Sequence, residues 1–471
     1  MAILSTVKVL EHCKVSPPSP PPPPTSIPLT FFDLPWLFFS PNQTLFFYEY
    51  DHPTSHFLST SLPTLKHSLS LALQLFFPFS ARLNFPPRPH KPYFVCSPND
   101  HVSLTVAEST AVDDFQRLTQ YGPRGVSEFH PLVPELKTSV SGSERELPLL
   151  SVQVTVFPGS GFCLGFAYHH VAADGRTFNN FIKTWSSLCR DSDSSLLIKT
   201  LPTFDRTVIV DRHGLEETFL NQWFLRTCKE EKLVIGSESE ADLSDGARAT
   251  VVVGSTHMDR IRKWILTQCA RKNLAQPVHL SPYVLTCSFV WVCLVRTLSQ
   301  FQGSQNRRFL GEDPIYFGFN AGGINRLDYP VPAPYFGNCI GFGRPAAVKE
   351  ELLGEDGMVV AANAIGNTIK TLDKTLLGGA ENWISDWEVF FGSDSDINLM
   401  VSGSPKVDLY KTDFGRGRPV KIEEISIDKK RGISLMESRD FVGGIEVGLT
   451  LPKIHMDAFI SIFNEGLKLL E

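Results

Sequence analysis

The chain has no run of five lysines or arginines, no Cys-x-x-Cys pair, no Cys/His cluster at zinc-finger spacing and no Gly-x-Ser-x-Gly. Each absence removes a class of function. Without a basic stretch, and with a formal charge of −6, the sequence offers no electrostatic footprint for nucleic acid or an acidic membrane. Nine cysteines scattered from Cys13 to Cys339, without paired spacing, read as reduced thiols of a cytoplasmic protein. The missing nucleophile elbow removes the signal for an α/β-hydrolase serine nucleophile. Long apolar runs are also missing. The longest, Tyr283 to Val295, is interrupted by Thr286 and Ser288 and falls short of the ~20 residues that a bilayer requires, so a buried helix is expected there. Met1 to Val15 carries Glu11 and Lys14 and lacks the apolar core of a secretory signal.

What is present is a large apolar reserve: 471 residues, 42% apolar and 20% charged. That length exceeds what one hydrophobic core usually serves, so two units able to enclose a cleft are expected, at residues 1–200 and 226–471, with a connection over 201–225. Prolines 17, 18 and 20–24 predict a stiff polyproline II segment ahead of the fold. Leu62, Leu65, Leu69, Leu73 and Phe76 recur at helical spacing and predict an amphipathic helix ending near Pro78. Ser151–Val156 and Phe162–Tyr168, separated by Pro158-Gly159-Ser160-Gly161, predict a β-hairpin. Its second strand delivers His169 and His170; a turn follows, and Phe178, Phe181, Trp185 and Leu188 mark one face of a helix. Polar tracts, Asp191–Ser195 and Gly236–Glu240, make 190–245 a connecting region. The second unit restarts with helices over His257–Ala270 and Ser281–Leu298.

The chemistry concentrates in His170-Val171-Ala172-Ala173-Asp174. An imidazole titrates near neutrality, so a positioned histidine can take the proton of a hydroxyl attacking an acyl carbon. His169, His170 and Asp174 also invite a metal-hydrolase reading, but adjacent strand histidines face opposite ways and do not easily share an ion, so no metal is expected. Two further segments complete a pattern: Tyr335-Phe336-Gly337-Asn338-Cys339 and Asp413-Phe414-Gly415-Arg416-Gly417. The whole resembles the plant BAHD acyltransferases, whose marks are His-x-x-x-Asp in mid-chain and Asp-Phe-Gly-Trp-Gly near the end. The Tyr335 segment resembles the branch that acylates anthocyanins and other phenolic glycosides.

The resemblance implies an α/β fold of two chloramphenicol-acetyltransferase-like domains with a substrate channel at their interface. It implies His170 as general base in a ternary complex and Asp174 as structural support for it. Asp413, Phe414, Gly415 and Gly417 become a remote structural turn. The substrates implied are a coenzyme A thioester and a phenolic or flavonoid glycoside, with no tightly bound cofactor; the chain is expected to work as a cytoplasmic monomer. Arg176 stands where malonyl-transferring members carry arginine, and its planar fork suits a malonyl carboxylate. A solvated or salt-bridged arginine, an aromatic or acetyl donor, and an inactive binding relative are the competing readings. Arg260, Arg262 and Lys263, together with Ser281 at a helix start, are candidates for the coenzyme A phosphates, or simply an exposed helix face. The chain departs from the family pattern twice. Arg416 replaces a tryptophan, and Gly322-Gly323-Ile324-Asn325-Arg326 keeps only Arg326 of an Asp and two Arg.

Overall fold

A computed structural model describes residues 7–19, 26–111, 114–137, 139–141, 144–190, 201–228, 245–301, 314–391, 398–429 and 432–470. Prolines 20–24 and the tracts Asp191–Ser195 and Gly236–Glu240 lie outside the described residues.

The predicted hairpin is the centre of the first unit. Leu150–Phe157 and Gly161–Tyr168 pair antiparallel in unbroken register, Leu150 opposite Tyr168 and Phe157 opposite Gly161. The alternation of Ser151, Gln153 and Thr155 with valines suggests a solvated face, yet all sixteen residues are buried. A second apolar cluster that includes Leu45, Phe47, Phe129 and Leu132 covers that face, and Gln153 there donates to the Pro131 carbonyl and to Thr155. The other face packs on two helices. Leu62–Leu75 buries Leu62, Leu65, Leu69 and Leu73, and Gly175–Arg190 buries Phe178, Phe181, Trp185 and Leu188. The indole Nε1 of Trp185 ties them by donating to Ser68 Oγ at 3.0 Å.

The hairpin belongs to a six-stranded mixed sheet, in the order Val7–Val15, Val102–Ser109, Leu150–Phe157, Gly161–Tyr168, Asn42–Glu49 and Lys421–Glu424. The last strand comes from the far end of the chain. The second large sheet runs Ile340–Gly343, Pro314–Gly322, Leu399–Ser402, Gly432–Glu437, Ile445–Pro452, Gly246–Val253 and Arg124–Gly125, with Ala346–Val348 against Pro314–Gly322. Here the last strand comes from the first half. Each unit therefore lends a strand to the other's sheet. A small third sheet contains Arg82–Phe85 and Tyr93–Val95.

Charge is buried where the strands cross. Glu423 lies 2.8 Å from Arg124 and 3.0 Å from Arg248, all three nearly inaccessible, while Lys421 reaches Thr250 and Glu446. Burial by itself raises the Glu423 pKa, but the facing cations Arg124, Lys421 and Arg248 outweigh it and hold the carboxyl down to about 2.

The helices Ser255–Arg271 and Pro282–Phe301 stand where periodicity placed them. Pro282–Phe301 is long and apolar enough to cross a membrane by length and composition, but most of it is buried inside the fold, Trp291 completely. The connecting region is more structured than its polar sequence suggests. Leu215–Cys228 is a helix that inserts Phe219 and Trp223 into the core, Trp223 edge-on to Phe38.

Candidate active site

A cavity of about 820 Å³ is lined by Trp36, His170 and Arg176 of the first unit and by Tyr283, Phe319 and Met400 of the second. His170 owes its place to a strand that stops abruptly. His169 N–H still extends the ladder to the Leu149 carbonyl, after which Ala172 and Ala173 N–H fold back on the carbonyls of His169 and His170. Four residues after His170 the chain turns helical, and Asp174 Oδ1 accepts from Thr177 N–H at 2.9 Å as the helix cap. The His-x-x-x-Asp spacing is thus the length of one strand-to-helix turn. The His170 ring stacks on the Trp36 indole, centroids 3.7 Å apart and planes inclined by 19°. His169 turns its Nδ1 toward the Val171 N–H. Among the described residues no group of three or more His, Cys, Asp and Glu side chains is placed to hold a metal ion.

The Tyr335 segment is what grips this turn. Gly337 carbonyl accepts from Asp174 N–H, Cys339 N–H donates to Asp174 Oδ2, and Asn338 Nδ2 donates to the carbonyls of His170 at 2.9 Å and Val171 at 3.2 Å. Asn338 is itself fixed by Asp33, whose Oδ1 accepts from both its backbone and side-chain nitrogens. Asp33 in turn faces Arg206, which donates to the Tyr335 hydroxyl at 2.7 Å. Only glycine fits at 337: its φ is +135°, and a Cβ there would lie 2.2 Å from Arg206 Nη1. Asp33, Trp36 and Arg206 carry no motif signal; their roles arise from contacts between residues far apart in sequence.

Arg176 lies half-exposed on the cavity wall. Its Nη1 donates to the Ala333 carbonyl at 2.6 Å and its Nη2 to the Tyr335 carbonyl at 2.7 Å, with Asp174 Oδ2 3.7 Å away. The basic partner of Asp174 is therefore Arg176, while Arg326 pairs with Asp373 and the Gly322 carbonyl. The segment from Gly322 to Arg326 nevertheless lines the cavity. The candidate phosphate residues Arg260, Lys263 and Ser281 do not; Arg262 donates to the Leu280 carbonyl, and Ser281 Oγ accepts from Val284 N–H in its own helix. The cations found on the wall are Arg176, Lys183, Arg326 and Lys406. Lys183 follows Arg176, Asn179 and Asn180 along one helix face, a spacing readable in sequence.

The Asp413 segment stands away from the cavity. One carboxylate oxygen of Asp413 accepts from the N–H groups of Gly415, Arg416 and Gly417 at 2.8 to 3.0 Å, a turn that Gly415 and Gly417 permit with φ of +79° and +87°. Phe414 is buried edge-on to Trp185. Arg416 is at the surface, its guanidinium over the Tyr50 ring and its Nη2 on Ser61 Oγ; no carboxylate is needed to seat it.

Two α/β units that trade strands around one cavity, with a histidine at the end of a buried strand facing it, have the fold of the chloramphenicol-acetyltransferase-like kind. The structure matches crystalline vinorine synthase with a TM-score of 0.66 over 97% of this chain and 98% of that one, at 16% identity. Residues 6–465 match the Transferase family. The chain is 37% identical to a malonyl-coenzyme A:anthocyanin 3-O-glucoside-6''-O-malonyltransferase of Dahlia pinnata, covering 99% of this chain and 98% of the relative. It is 36% identical to a coumaroyl-CoA:anthocyanidin 3-O-glucoside-6''-O-coumaroyltransferase of Arabidopsis thaliana, covering 99% of each. It belongs to the BAHD acyltransferases, in the branch that contains these enzymes.

Proposed function

We propose that this protein transfers a malonyl group from malonyl-CoA to a sugar hydroxyl of a phenolic or flavonoid glycoside, as a cytoplasmic monomer and without a tightly bound cofactor. The observation that carries the reading is the position of His170 on the wall of a cavity shared by both units, on a turn held by backbone and side-chain hydrogen bonds. In the proposed step the acceptor hydroxyl attacks the thioester carbonyl carbon while His170 takes its proton. The C–O bond forms, the C–S bond breaks, and the proton passes to the departing thiolate. Stacking on Trp36 fixes the imidazole plane, so little reorganisation is required as charge develops.

Support for a malonyl donor is the cationic wall formed by Arg176, Lys183, Arg326 and Lys406, which offsets the desolvation of a carboxylate. Arg176 supplies charge to that wall while two of its nitrogens hold the Tyr335 loop. The second reading is a hydroxycinnamoyl donor, favoured by the aromatic side of the cavity at Trp36, Phe39, Trp387 and Phe391. Incubating the protein with malonyl-, acetyl- and coumaroyl-CoA against phenolic glucosides, with product mass as the readout, decides between them. His170→Ala should lower turnover by ~10²- to 10⁴-fold and leave thioester binding intact; near-normal turnover in this variant refutes the general-base role.

A further inference from the structure

The lining of the cavity carries four cations and two carboxylates, Asp174 and Glu424. Asp174 is committed to the helix cap and to Cys339 N–H. Glu424 takes no part in that clamp. It ends the strand contributed by the far half of the chain, sits opposite Thr44 in register, and accepts from Thr44 Oγ1 at 3.1 Å. Its neighbour Glu423 faces the other side of the sheet, into the buried ion network, as strand alternation demands. On the next strand pair Asn42 lies opposite Tyr168 and donates from Nδ2 to its hydroxyl at 3.1 Å. That oxygen accepts, so the Tyr168 proton remains to be donated; burial, reinforced by the charges of Glu424 and Asp174, keeps the hydroxyl protonated. The Tyr168 and His170 ring centres are 6.3 Å apart, close enough for one ligand to touch both.

We propose that Asn42, Thr44, Tyr168 and Glu424 form the subsite for the hydroxyl-bearing part of the acceptor, with Glu424 the specificity-determining carboxylate that accepts from sugar hydroxyls. A vicinal polyol needs acceptors and donors side by side. A carboxylate offers two oxygens, a tyrosine one proton, and an asparagine both kinds of group. An acyl tail placed there would set hydrocarbon against polar groups that a polyol can hydrogen-bond. A donor that carries its own carboxylate would be repelled by Glu424 and drawn to the cationic wall, so one cavity sorts its two substrates by charge.

This inference rests on the glycoside reading above, and its test separates the two. Wild type, Glu424→Gln, Glu424→Ala and Thr44→Val are compared in steady state, with the best acyl-CoA donor, against a phenolic glucoside, a sugar-free phenolic alcohol and a primary amine of similar size. Glu424→Gln should raise KM for the glucoside about tenfold, and Glu424→Ala further, with KM for the acyl-CoA moving less than about twofold. Thr44→Val should shift the glucoside KM in the same direction by less, and the sugar-free alcohol should respond to none of the three. An unchanged glucoside KM, an equal rise for the acyl-CoA, or a rise confined to the amine overturns the proposal. A wild type that acylates the alcohol or the amine but no glucoside overturns the glycoside reading, and this subsite with it.

Discussion

Replacing Asn338 tests how the catalytic turn is held. Its side chain is fully buried, and two amide protons reach three acceptors: the carbonyls of His170 at 2.9 Å and Val171 at 3.2 Å, and Asp33 Oδ1 at 2.9 Å. Asn338→Ala removes all three bonds. The His170 carbonyl keeps Ala173 N–H and Asp33 keeps the backbone N–H of residue 338, so the loss should be ~2–4 kcal/mol of stability. Asn338→Asp preserves size and shape and should nevertheless be worse. It turns acceptor against acceptor at both carbonyls and sets a second carboxylate beside the buried Asp33, a cost of ~3–5 kcal/mol or more. Because the affected carbonyls belong to His170 and Val171, kcat should fall with stability, in the order wild type, Ala, Asp. Thermal melting followed by circular dichroism, with kcat measured well below each transition, reads both effects. If the aspartate variant melts at or above the alanine variant, the amide is not the clamp described here.

Arg176→Ala should lower kcat/KM for acetyl-CoA by up to ~10-fold through loss of the two loop contacts, and for malonyl-CoA by at least ~10-fold more through loss of charge; equal losses mean that Arg176 serves the loop alone, and the malonyl assignment falls. Arg416→Trp should alter the melting temperature and leave kcat nearly unchanged, because the side chain meets Tyr50 and Ser61, outside the cavity; recovery of a missing activity would contradict this. The Glu423 carboxyl titrates lower in the folded chain than the ordinary 4.5, so its stabilisation is present above pH ~4.5 and is lost as the pH falls toward about 2. Acid unfolding of Glu423→Gln should therefore be flatter over that window than that of wild type, though from a less stable start, and parallel curves would refute the ion-network account.

Much of the fold is legible because its signals are local. The hairpin at 150–168 and the helices over Leu62–Leu75, Gly175–Arg190 and Pro282–Phe301 each declare themselves by the spacing of apolar residues within one element. Arg124–Gly125 and Lys421–Glu424 do not. They are too short for periodicity to register, and what makes them strands is a partner more than a hundred residues away. The same division runs through the site. His170 and Asp174 stand out because one turn sets their spacing, whereas Trp36, Asp33 and Glu424 acquire meaning only when distant segments meet. The basic face at Arg260 and Lys263 stays open between a solvated helix and a phosphate site, which can share a composition.

The exchanged strands have a consequence during synthesis. Thr44 finds its sheet partner at Glu424, 380 positions later, so the edge of Asn42–Glu49 stays unpaired until almost the whole polypeptide has left the ribosome. An open edge with that many apolar residues is a template for association with other chains. A nascent chain halted anywhere before the Asp413 turn therefore carries a sticky seam, and chaperone demand should peak late in translation. For the same reason a fragment cut at the middle connection is a poor starting point for expression, however well its own hairpin and helices are formed.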